Sequence, residues 1–113
     1  MQDSDLELLE LAALAADIEF AVIHDTPRRK CDAGWTPWNP LEDDGDAMRL
    51  FTRLPFRELY VSEIGATVSW KRGDGSGHGF KCDEYANEHN GDINAAARRA
   101  IVRAAADIGR RMK

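Results

Sequence analysis

From Ser4 to about Ile23 the chain is built of strong helix formers. On a helical wheel Leu6, Leu9, Ala13, Ala16 and Phe20 form one apolar stripe, and Leu8, Leu11, Ala15, Ile18 and Val22 form another. Glu7, Glu10 and Asp17 gather on one narrow wedge. Asp3 or Ser4 supplies a capping oxygen, and the early acids suit the positive end of the helix dipole. The pattern predicts a first helix over the whole stretch. Two apolar stripes are more than one contact needs: either the helix is wedged between two layers of its own domain, or the second stripe makes a homodimer.

Residues 24–40 are rich in Pro, Gly, Lys and Arg and read as a long irregular connection. A second, short helix follows. It is capped by Asp43 or Asp44, carries Ala47, Leu50, Phe51 and Leu54 at helical spacing, and is stopped by Pro55. The period then changes to two. Leu59, Val61, Val68, Trp70, Phe80 and Cys82 fall on one side, opposed by Tyr60, Ser62, Thr67, Ser69, Lys71, Lys81, Asp83 and Tyr85. Turn signals at Ile64-Gly65 and in the glycine-rich segment Gly73 to Gly77 divide these runs into an antiparallel three-stranded meander with one wet face. Asp92 caps a last helix running to about Arg110, with Ala97, Ile101, Ala104, Ala105, Ile108 and Met112 on one side. The expected fold is α+β, in the order α-α-β-β-β-α, with three helices packed on the single apolar face of a three-stranded sheet.

A length of 113 residues suits one domain over residues 1–113. With 43% hydrophobic and 31% charged residues, the composition excludes a chain that stays disordered. The apolar stretch from Leu8 to Val22 is broken by Glu10, Asp17 and Glu19, too polar to span a bilayer, and the acidic N-terminus is unlike a secretory signal. A cytoplasmic protein with Cys31 and Cys82 as free thiols is expected. Charge is distributed unevenly. Residues 1–26 carry seven acids and no Lys or Arg, whereas residues 98–113 carry five arginines, one lysine and one aspartate. A net charge of −5 weighs against a protein whose main task is coating nucleic acid.

The run from Trp38-Asn39-Pro40-Leu41 through Asp43, Asp44 and Asp46 to Leu50, with Trp70 in mid-strand and the alanine-rich helix Ala95 to Ile101, resembles the phage ABA sandwich domain family over roughly residues 35–112. The resemblance implies a phage or prophage accessory protein with helices on both faces of a small antiparallel sheet. It brings no catalytic residues and no cofactor with it.

Two surfaces carry candidate binding chemistry. Trp35 and Trp38 lie on a proline-stiffened segment and offer flat, rigid area to a partner, with Trp38 the more natural core residue and Trp35 the more exposed. Arg99, Arg103 and Arg110 align opposite the apolar face of the last helix and can track phosphates, pair with acids of the first helix, or simply be solvated. Glu42, Asp43, Asp44 and Asp46 fail the spacing of a calcium loop and are better read as helix caps. The glycine-rich segment from Lys71 to Gly79 leads into a strand and lacks the helix start that makes such loops hold phosphate. His78 and Cys82 are the minimum for thiol catalysis, but Cys82 sits at a core position. Cys31, Cys82, His24 and His89 lack the paired spacing of a zinc site. The expected function is therefore non-enzymatic binding of a host or phage protein, without cofactor or metal. One form of that reading is an inhibitor of a host factor whose acidic first helix imitates phosphate. The alternative is a nucleic-acid-binding protein using the arginine face.

Overall fold

The computed structural model describes residues 3–71 and 79–112. Helix α1 (Asp3–Ala15) is followed by strands β1 (Phe20–Ile23), β2 (Thr26–Cys31) and β3 (Gly34–Pro37). Helix α2 (Asp44–Arg53) then leads to β4 (Phe56–Ser62), β5 (Gly65–Lys71) and β6 (Gly79–Tyr85). A short 3₁₀ turn at Ala86–His89 precedes the long helix α3 (Ile93–Arg111). The protein is α+β, as expected, but it holds two three-stranded antiparallel meanders instead of one, in the orders β1-β2-β3 and β4-β5-β6.

The first helix is shorter than its apolar stripes suggest. Asp17 adopts φ 56°, and the chain closes on the helix through bonds from Asp17 N–H to Leu14 O (3.2 Å) and from Ile18 N–H to Ala13 O (2.9 Å). This is the Schellman arrangement, made with an aspartate where glycine is usual. Ile18, Phe20 and Val22 therefore leave the helix, and Leu11 is buried within the protein. The second stripe proposed as a homodimer surface is not one surface of the molecule.

The core forms around α3. Leu9, Ala12 and Ala13 of α1, and Ala16 just after it, pack with Ala100, Ile101, Ala104 and Ala105, all buried. Small residues let the two helix backbones come close, and Gly109 marks the tightest point: a Cβ there would sit 2.0 Å from Leu11 O. On its other side α3 lies across β5 and β6 and reaches β4 only at the margin. The alternation assigned Val68 and Trp70 to the inside, and both are buried. Phe56, Trp70 and Phe80 stand opposite one another across the three strands, and their rings form a continuous row with Phe51. The opposite face carries the exposed Tyr60 and Tyr85, so α3 covers one face of this sheet. Val61, expected inside, is exposed because it lies on the margin that α3 does not reach.

Both later helices match their local signals. Asp43 caps α2 by accepting from Asp46 N–H at 2.8 Å, and Asp92 caps α3 by accepting from Ala95 N–H at 3.1 Å. No helix of the described residues is long and apolar enough to cross a membrane.

Candidate functional site

The segment expected to be an irregular loop, residues 24–40, supplies β2 and β3, which join β1 in one sheet. Ile23 pairs with Thr26, so His24 and Asp25 alone turn the chain; both take left-handed backbone (φ 52° and 60°), the type I′ geometry that suits a two-residue hairpin. Cys31 pairs with Gly34, whose φ of 110° makes glycine the natural residue there. The sheet is fastened by Trp38, only 2% exposed, whose ring meets Phe20 edge-on at 5.8 Å. Trp38 N–H donates to Pro27 O at 2.9 Å, and Asn39 N–H donates to Asp46 of α2 at 3.0 Å. Trp38 is thus a structural anchor between the first sheet and α2. As a candidate contact for a partner it is corrected: its indole is packed inside.

Trp35 is placed differently. It is 39% exposed on β3, directly opposite Lys30, while two positions along, past Arg29 and Thr36, Arg28 stands opposite Pro37. Residues directly opposite in an antiparallel pair point to the same face, and successive pairs on alternate strand positions share it. Lys30 and Trp35 thus stand side by side, with Arg28, Arg29 and Lys30 consecutive on the middle strand. Among the described residues Arg28 reaches only a main-chain oxygen, that of Ile23, at 3.5 Å. The Nε of Arg29 is buried with no hydrogen-bond partner among the described residues. At the hairpin end, the exposed Cys31 thiol lies 3.1 Å from both Thr36 Oγ1 and Gly34 O. The hydrogen bond to Thr36 is the main cause that lowers its pKa below the usual thiol value, assisted by the backbone of Ala33.

The arginine face of α3 is largely engaged inside the protein. Arg99 Nη1 bonds Asp5 of α1 at 3.1 Å, Arg103 bonds both Glu84 and the main-chain oxygen of Asp83, and Arg98 joins Asp44 at 2.6 Å and Leu41 O at 2.9 Å. Arg110 is exposed, and no ion pair of its own occurs among the described residues. A cleft of about 420 Å³ brings Arg99, Arg103 and Arg110 together, but Glu7, Glu84 and Glu88 line it as well. Its charge is mixed, so the three arginines do not form an uncompensated basic stripe.

The residue that sequence reasoning missed is Glu84, 7% exposed on β6. It lies 2.9 Å from His89 Nε2 and also holds Arg103. Burial works against the Arg103 charge, but the hydrogen bond and negative charge of Glu84 outweigh it and raise the Arg103 pKa. Strand parity held the signal: Glu84 is two positions beyond Cys82, on the side facing α3.

The remaining candidates are accounted for as follows. Among Glu42, Asp43, Asp44 and Asp46, Asp43 is the α2 cap, Asp46 holds Arg49 and Asn39, and Asp44 holds Arg98. Glu42, Asp43 and Asp46 line part of a groove of about 730 Å³ against the first sheet. Residues 72–78 of the glycine-rich segment, His78 among them, lie outside the described residues, and the pairing of His78 with Cys82 lies outside with them. Burial raises the pKa of Cys82. Among the described residues, no group of three or more His, Cys, Asp or Glu is arranged to hold a metal ion. In comparison with known proteins, the sequence matches no protein-family model and no curated protein.

Proposed function

We propose that the protein works by binding another protein and not by catalysis, as an accessory protein of phage or prophage origin, and that its contact surface is the outer side of β2 and β3. The observation that supports this reading is Trp35: a large indole left 39% exposed on a short strand whose position is locked by the buried Trp38 beside it. An exposed aromatic on a rigid support loses little freedom on binding, which is the physical basis of its frequency at interface centres. The resemblance to the phage ABA sandwich domain family supports the origin. Inhibition of a host factor is the form of the reading that such an origin favours. The alternative, phosphate recognition by the α3 arginines, is weakened because Arg99 and Arg103 already pair with Asp5 and Glu84.

The test is capture from host lysate by the immobilised protein beside its Trp35→Ala variant, with nuclease added. A protein retained by the parent and lost by Trp35→Ala supports the reading. Identical sets of retained proteins overturn it.

A further inference from the structure

Among the described residues, Arg49, Lys81, Arg98, Arg99, Arg103 and Arg111 each reach a carboxylate, while Arg53, Arg57 and Arg110, scattered over α2, β4 and α3, do not. Arg28, Arg29 and Lys30, three in succession on β2, pair with none among the described residues, although the chain carries a net charge of −5 and has acids to spare. Asp25 and Asp32 stand in the turns at either end of this strand.

The strand beside these cations is an open edge. In the order β1-β2-β3, β3 has one neighbour. Lys30 N–H donates away from it, to Glu19 O at 3.0 Å, whereas Pro27 O accepts from Trp38 N–H on the β3 side. Hydrogen bonding alternates along an antiparallel ladder, so Arg29 and Cys31 bond Thr36 and Gly34, and the main-chain N–H and C=O of Trp35 project from the free edge. An extended segment can add to such an edge through main-chain bonds.

We propose that β3 and β2 together receive an acidic, extended segment of a partner protein: its backbone pairs with Trp35 at the β3 edge, an apolar residue packs on the Trp35 indole, and its carboxylates meet Lys30 and Arg28. This inference rests on the preceding reading and names the partner's chemistry. A short acidic segment fits better than a nucleic acid. A polyanion long enough to leave the hairpin meets the field of a chain with net charge −5, while a segment confined to β2 and β3 meets mainly the unpaired local cations, because exposed charges beyond about 8–10 Å are screened at physiological salt.

The test uses the full chain and three fluorescently labelled probes: a peptide of alternating Glu and Val, the same peptide with Lys in place of Glu, and single-stranded oligothymidine. Binding is followed by anisotropy. The Glu peptide binds, the Lys peptide does not, and affinity falls with added salt. Lys30→Gln and Lys30→Glu weaken the Glu peptide progressively, about tenfold for the reversal, and Arg110→Ala leaves it unchanged. Circular dichroism confirms that the variants keep their fold, and Lys30 is exposed, so both should. Tighter binding of oligothymidine overturns the proposal in favour of nucleic acid. Equal binding of both peptides, no binding of either, or indifference to Lys30 overturns it as well. Trp35-dependent capture of a protein that persists when the Glu peptide fails to bind retains the protein-binding reading and removes only the acidic partner.

Discussion

Replacing Gly109 by alanine sets two magnitudes against each other. In an exposed helix interior the change adds about 1 kcal/mol of stability, because alanine loses less backbone entropy than glycine. At Gly109 the added Cβ would stand 2.0 Å from Leu11 O and 2.8 Å from Leu11 C. Both atoms belong to the α1 backbone, so no rotamer change relieves the overlap. The helices must separate by about 1 Å to reach even the tightest contacts that real Cβ atoms make. That movement loosens Leu9, Ala12 and Ala13 from Ala104 and Ala105, all essentially buried. Overpacking costs about 1–3 kcal/mol, and because only backbone can yield here the upper part of that range, about 2–3 kcal/mol, applies. The expected net effect is a loss of about 1–2 kcal/mol, seen as a lower urea midpoint with little change in slope. Gly45→Ala provides the milder comparison. Its Cβ would meet the flexible end of Arg49 at 3.1–3.2 Å and the capping oxygen of Asp43 at 3.2 Å, so the gain in helix propensity is set against a slight shift of the cap and the variant should stay within about 0.5 kcal/mol of the parent. A Gly109→Ala protein as stable as the parent would refute the close helix contact.

Other substitutions test single features. Asp17→Gly should stabilise by about 0.5–1 kcal/mol in urea titration, since it relieves a left-handed aspartate and removes a negative charge from the negative end of α1; a loss would show that Asp17 has another role. Glu84→Gln should cost about 1–2 kcal/mol, less than the roughly 3–5 of a fully buried pair, because the Arg103 side chain is 42% exposed and can turn to water. A neutral result there would mean that Glu84 contributes nothing net to folding. Brief alkylation near neutral pH followed by mass mapping should label Cys31 well before Cys82, because Cys31 is exposed with a lowered pKa while burial raises that of Cys82. The reverse order would place Cys31 under cover.

What the sequence reveals depends on how local its cause is. Helices α2 and α3 are legible because Asp43 and Asp92 cap them and their apolar stripes are regular. The second meander is legible because Val68, Trp70 and Phe80 keep a period of two. Helix α1 reads too long because Phe20 and Val22 satisfy the helical stripe and the strand alternation equally, and its stop is an aspartate, not a glycine. The first sheet is hidden for several reasons at once. Its strands span only four to six residues, its first turn is His24-Asp25 without glycine, and Pro27 lies within the middle strand. A proline there normally argues against a central strand, yet only its carbonyl is used toward Trp38. The candidate surface suffers the same fate: Trp35 stands out alone, but its company of Lys30 and Arg28 depends on a register that no local pattern specifies.

Because the proposed contact face exists only if residues 20–37 form a sheet, amide hydrogen exchange across that segment tests the account most directly. The amides of Lys30 and Trp38, bonded to Glu19 O and Pro27 O, should be protected, with Trp35 between them exchanging fast from the free edge. Lys30 and Trp38 exchanging as fast as an open loop would contradict it.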